Sequence, residues 1–347
     1  MSPGPACAGP ANPESTAAVM TTSPPSAPSQ DSARVAVVMM CEPAAYEWQA
    51  VLLTSSLLSY GYGSLALYAY CRRSLAHALH PRTRAFFDRH GVHFDVIDPA
   101  FRVNYPQGNK LFAAAMPRSQ RKTVFIDTDV MLTQPTLLAE AFFPGAVSGR
   151  PTARWMWGDT AQAWAPAYRA AGLPVTPRRM PQIGQGTTRY VPPSLNAGFV
   201  AWDDGAFSTA WRDVAQKIEA DPSIADIFPT LDQIALPLAA ETCGLGLRFL
   251  DKSWNASAEF ARTRPAQVRV LHYQNLAALR ASGAVALADQ FLRDHAGFDS
   301  LADLVGFYAE NGQKPPQVKN APGHIKPADL DAHRLNQAAP AAALENR

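Results

Sequence analysis

The chain has 347 residues, 47% hydrophobic and 17% charged, against about 25% charged in an average globular protein, which excludes a highly charged disordered polymer. Lys and Arg total 31 and Asp and Glu 29, a net charge of +2, so no broad positive field exists to grip nucleic acid. Cys7, Cys41, Cys71 and Cys243 form no CxxC pair, which argues against a disulfide scaffold or a cysteine zinc site and for a reducing, cytoplasmic setting.

Residues 1–33 are rich in Ala, Ser and Pro, without Lys, Arg or a signal-type apolar run, and read as a disordered leader. No later segment reaches the roughly 18 apolar residues of a membrane span. The body opens with an apolar strand over 35–40, followed by Trp48, Val51, Leu52 and Leu58 at helical spacing. A second strand is expected over 65–70, a helix over 82–90, a third strand over 93–97 and a helix over 109–116. The strand at 123–126 ends in Asp127, Thr128 and Asp129. Residues 150–193, with Trp155, Trp157 and Trp164 among Pro, Gly and Arg, read as loops and short helices.

A strand over 195–202 follows, then helices marked by Phe207, Trp211, Val214 and Ile218 and by residues 231–240. Short strands over 247–250 and 268–272 complete the pattern. From about Gly312 the chain is again rich in Pro and Ala and reads as an extended or flexible tail over 312–347. One domain over 34–311 is therefore expected. The alternation of strand and helix argues for an α/β fold whose mostly parallel sheet is flanked by helices, with ligands beyond the carboxyl ends of the strands.

Two carboxylates one residue apart at the mouth of an apolar strand need compensation, and hard oxygen ligands of this kind suit Mg²⁺ or Mn²⁺. The alternative is that Asp127 caps the next turn while Asp129 faces water. A phosphatase of the haloacid-dehalogenase type also places Asp-x-Asp after a strand, but normally after the first strand and with Thr or Val where Met131 stands here. Gly61-Tyr62-Gly63 and Gly184-Gln185-Gly186 lack the context of a dinucleotide fingerprint.

Asn109-Lys110-Leu111-Phe112, the Asp-Thr-Asp strand, Asn196-Ala197-Gly198-Phe199-Val200, Asp232-Gln233 and Leu271-His272-Tyr273 occur in an order that resembles the GT-A nucleotide-sugar glycosyltransferases, in particular family 8, the glycogenin-like group. The resemblance spans about residues 35–275 and implies a GT-A fold. It further implies transfer of a sugar from a nucleoside diphosphate donor, a UDP-sugar, to a hydroxyl acceptor, with retention. Asp127, Asp129 and His272 would hold the metal, and Asp127 would also touch the donor ribose. Lys110 would face the donor, Asn196, Ala197 and Gly198 would lie beside its sugar, and Asp232 and Gln233 would sit near the transferred group.

For each residue a structural role competes: a core or capping histidine at 272, a solvated helix lysine at 110, close strand packing at 197–198, and helix capping by Asp232 after Thr230. The family often follows its late histidine with Gly and Lys that grip the diphosphate, whereas Tyr273, Gln274, Asn275 and Leu276 stand here. That departure keeps open a non-catalytic nucleotide-sugar-binding or structural protein on the same fold.

Overall fold

The computed structural model describes residues 34–43, 45–152, 157, 161–175, 180–181, 190–191, 194–258 and 265–311. The expected leader and tail lie outside these residues, as does Trp155. In chain order the elements that build the site are β1 (Val35–Met40), α1 (Ala45–Tyr60), β2 (Leu65–Arg72), α2 (Pro81–Arg89), β3 (His93–Ile97), α3 (Asn109–Ala114), β4 (Thr123–Ile126), β5 (Val130–Leu132) and β6 (Ala146–Pro151). They continue with α4 (Ala161–Ala170), β7 (Leu195–Trp202), α5 (Gly205–Ala220), α6 (Leu231–Thr242), β8 (Gly246–Phe249), β9 (Ala256–Ser257), β10 (Val270–His272), α7 (Leu276–Ala281), α8 (Val285–Phe291) and α9 (Leu301–Asn311).

Seven strands form the central sheet in the order β8-β6-β7-β4-β1-β2-β3. All neighbours run parallel except at β7, which is antiparallel to both β4 and β6. This is the mixed α/β, mostly parallel sheet expected from the alternation of elements and from the GT-A resemblance. Strands buried on both faces must be apolar throughout: in β1, Val37 and Met39 enter one core and Val38 the other. The first core packs under α1, α2, α8 and α9, the second under α3, α4, α5 and α6. Trp202, Phe207 and Trp211 stack in the second core with no more than 1% of their surface exposed, and burial of each such side chain contributes about 1.5–3 kcal/mol.

Two expectations change in detail. The last predicted strand is only Val270–His272 and leaves the central sheet, joining a three-stranded sheet in the order β9-β10-β5. A strand that was not expected, β6, occupies 146–151 and overlaps only the start of the 150–193 stretch, in which α4 at 161–170 is one of the short helices expected. The sequence Ala-Val-Ser-Gly-Arg-Pro hides the strand because its buried polar Ser148 and its Gly149 interrupt any apolar run.

Candidate active site

Two registers assemble the site. β4 ends at Ile126 and β5 begins at Val130, so the Asp-Thr-Asp segment forms the turn between them. Antiparallel pairing of β7 on β4 sets Phe199 opposite Ile126, and the Asp127 amide donates to the Gly198 carbonyl at 2.9 Å. Pairing of β10 on β5 sets His272 opposite Val130, and the Tyr273 amide donates to the Asp129 carbonyl at 2.9 Å. Residues more than 140 positions apart in sequence therefore meet at one sheet edge.

Asp127, Asp129 and His272 each offer a ligand atom, and these atoms all lie within 4.8 Å of one another. His272 Nε2 stands 3.2 Å from Asp129 Oδ1. A common ion about 2.0–2.2 Å from each donor fits that spacing. Lys110 is not a solvated helix lysine: its Nζ is buried, 2.8 Å from Asp127 Oδ1 and 3.2 Å from Asp232 Oδ2. Nor does Asp232 cap α6. Its second oxygen accepts from the Tyr105 hydroxyl at 2.8 Å, and the Asp232 amide donates back to that hydroxyl at 3.1 Å.

Three carboxylates, Asp127, Asp129 and Asp232, thus face one ammonium and one imidazole in a partly dehydrated pocket. Burial raises the Asp127 carboxyl, Lys110 offsets part of that rise, and Asp129 adds to it, leaving Asp127 above the usual carboxylate range. Burial also acts to raise Asp129, but His272 outweighs it and holds that carboxyl low. Burial acts to lower the His272 imidazole, and Asp129 reverses this, so it sits above its ordinary value. Lys110 is held fully charged, its burial outweighed by Asp127 and Asp232. With the imidazole neutral and all three carboxylates ionised, as metal binding requires of the ligands, the excess is two negative charges, three minus one, which is what a divalent cation would balance.

Close packing fixes the rest. A Cβ on Gly198 would come 2.6 Å from His272 Cε1 and 2.8 Å from its Nδ1, so position 198 must be glycine for the imidazole to stand there. Asn196 Oδ1 accepts from the Gly198 amide at 2.9 Å and from Asn255 Nδ2 at 2.8 Å, and Ala197 offers its carbonyl to Lys110 at 3.5 Å. Gln233 lies in the first turn of α6 with a buried Oε1 that accepts no hydrogen bond.

The residues missed from sequence are those that aim the others. Glu42, just beyond β1, takes both a bidentate Arg72 contact at 2.8 Å and the Asn109 amide at 3.0 Å. It thereby anchors the start of α3, which carries Lys110. Tyr105 aims Asp232, and Asn255 aims Asn196. For Glu42 the resemblance implied only that the strand exit Met40-Cys41-Glu42-Pro43 lies near the nucleotide base, with no contact assigned; Tyr105 and Asn255 carried no signal.

The model of the family described as the Rhodobacterales glycosyltransferase domain matches residues 37–244. No curated protein matches the chain. Among solved structures it is similar to the apo form of the bifunctional glycosyltransferase WbbM, at 11% identity and a TM-score of 0.46, over 77% of this chain and 52% of that one. Galactosyltransferase LgtC with donor and acceptor sugar analogues matches at 14% identity and 0.47, over 76% and 95%. GlyE of Streptococcus pneumoniae TIGR4 matches at 13% and 0.45, over 82% and 66%. The chain thus spans about half the length of WbbM.

Proposed function

The chain belongs to the Rhodobacterales glycosyltransferase domain family, and from that premise we infer that it moves a sugar from a nucleoside diphosphate donor, a UDP-sugar, to a hydroxyl acceptor, with the anomeric configuration retained. The observation that carries this reading is the meeting of Asp127, Asp129 and His272 beside Lys110 at one sheet edge. Membership in a glycosyltransferase family removes the phosphatase alternative. Retention and the UDP donor follow from the likeness to family 8.

In this reading Asp127, Asp129 and His272 hold Mn²⁺ or Mg²⁺, which as a Lewis acid would stabilise the charge growing on the leaving diphosphate. The chain's own residues supply the remainder. Lys110 offsets part of the cost of burying the Asp127 carboxylate and holds it beside β7, while Gly198 leaves room for the imidazole. The orphaned Gln233 Oε1 accepts a hydroxyl of the transferred sugar, and Asp232, fixed by Tyr105 and Lys110, orients the first turn that presents it.

Residues 34–311 form the transferase domain, between a leader at 1–33 and a tail at 312–347. A reducing, cytoplasmic setting is supported by Cys41, Cys71 and Cys243, which are free thiols. No helix among the described residues is long and apolar enough to cross a membrane. The test is release of UDP from a panel of UDP-sugars with Mn²⁺, with and without simple sugar acceptors. Metal-dependent release supports enzymatic transfer. Tight donor binding without release supports the non-catalytic reading, for which the replaced Gly and Lys after His272 speak.

A further inference from the structure

The cation expected after His272 is absent from positions 273–276, yet a different one stands close by. Arg150 is the penultimate residue of β6 and is half-buried. Its Nη1 donates to the Asn255 carbonyl at 3.2 Å, and among the described residues it makes no ion pair. Asp251 acts on it electrostatically without reaching ion-pair distance, and the Asp251 Oδ1 accepts from the Ser253 amide and hydroxyl at 2.7 and 2.5 Å. A guanidinium removed from water without a carboxylate is costly, which points to an anion supplied from outside the chain.

The second observation is independent. Asn255 is 3% exposed and holds a left-handed backbone at φ 49°. Its orientation is dictated: Asn196 Oδ1 already accepts from the Gly198 amide, so Asn255 must turn Nδ2 toward it, leaving its own Oδ1 buried without a partner. Gln274, at φ 56°, repeats the pattern. Its Nε2 donates to Ser257 at 2.9 Å while its Oε1 is buried and unpartnered. A cation without an ion pair among the described residues and two orphaned acceptors, reached through Asn196 and β9 from His272, are the complement of a polyol that also bears a negative charge.

Position decides which substrate this is. The order of the sheet reverses beside β1, and ligands of open α/β sheets bind beyond the strand ends at such a reversal, where the transferase reading puts the nucleotide. Arg150 is on β6, two strands past β4 on the opposite side, roughly 10 Å from the strand that carries Asp127. With the donor at the reversal, this is the side of Asp127 left for an acceptor hydroxyl. Resting on the transferase reading, we propose that Arg150 and Asn255 form part of the acceptor subsite, and that the acceptor is an anionic sugar, bearing a carboxylate or a phosphate, whose charge sits on Arg150 and whose hydroxyls donate to Asn255 Oδ1.

The test compares glucuronic acid, glucose 6-phosphate and glucose as probes, titrated calorimetrically into the full-length protein and into its R150Q and R150K variants, with UDP and Mn²⁺ titrated in parallel. The anionic sugars should bind about tenfold or more tightly than glucose, R150Q should remove that preference, R150K should keep part of it, and UDP affinity should be the same in all three proteins. N255A should weaken all three sugars. Equal binding of glucose and the anionic sugars, or a preference that survives in R150Q, overturns the proposal. So does a loss of UDP affinity in a folded R150Q, which would give the guanidinium to the donor diphosphate. If wild-type protein binds no UDP, the donor reading fails by itself, while the sugar comparison still decides the role of Arg150.

Discussion

At the scale of single residues, the placement of His272 depends on what is missing at position 198. Gly198→Ala would set a methyl 2.6 Å from the imidazole and force the ring aside. Displacing a metal ligand or its support typically costs 10–100-fold in metal affinity, so G198A, destabilised by the roughly 1–3 kcal/mol that overpacking costs but still folded, should bind Mn²⁺ at least about tenfold more weakly. Mn²⁺ titration followed by electron paramagnetic resonance reads this directly, and unchanged affinity would remove His272 from the metal shell. The same histidine sets a pH dependence. Metal needs the neutral imidazole, and Asp129 holds the proton on it to a higher pH than usual despite burial. Metal affinity should therefore fall as pH is lowered through a midpoint above the ordinary value of about 6.5. A midpoint at or below that value contradicts the geometry.

At the scale of elements, α3 and α6 are joined through charge rather than through apolar packing alone. Lys110 on α3 bridges Asp127 after β4 and Asp232 on α6, and Tyr105 steadies Asp232 from the segment before α3. Lys110→Met would leave Asp232 buried without its cation, a loss of about 3–5 kcal/mol. Tyr105→Phe removes only a hydroxyl and should cost about 1–3 kcal/mol. Urea denaturation of both variants checks the ranking, and a reversed order would show that Lys110 is not the joint between the helices.

Elements also show what was legible in advance. β1, β2, β4 and β7 announced themselves because a strand covered on both faces is a continuous apolar run. β5 and β10, three residues each, carry too little pattern, and β6 is broken by Ser148, Gly149 and Arg150. The Asp pair was legible because carboxylates at a strand mouth stand out against their apolar flanks. His272 was legible only through resemblance. Arg150, Tyr105 and Asn255 acquire meaning only from tertiary neighbours, so no local signal marked them.

At the scale of the molecule, α7 to α9 complete the core beneath α1 beyond residue 244, where the family match ends. Leu301, Leu304 and Tyr308 of α9 are buried, and the Tyr308 hydroxyl lies 2.8 Å from Thr83 Oγ1 on α2. Burial of three such side chains is worth about 1.5–3 kcal/mol each, comparable with the roughly 5–15 kcal/mol that holds a whole domain folded. A chain ended at Asp299 should therefore lose its cooperative thermal transition or melt many degrees lower. Melting unchanged from the full chain would mean that α9 is an appendage.

The central claim is that Asp127, Asp129 and His272 bind a nucleoside diphosphate through a divalent cation, and calorimetric titration of UDP into the full-length protein, with Mn²⁺ and then with excess chelator, tests it most directly. Binding that is present with Mn²⁺, lost with chelator and absent in D129A with its fold intact is the predicted result. UDP affinity that is indifferent to Mn²⁺, or retained in full by D129A, would contradict it.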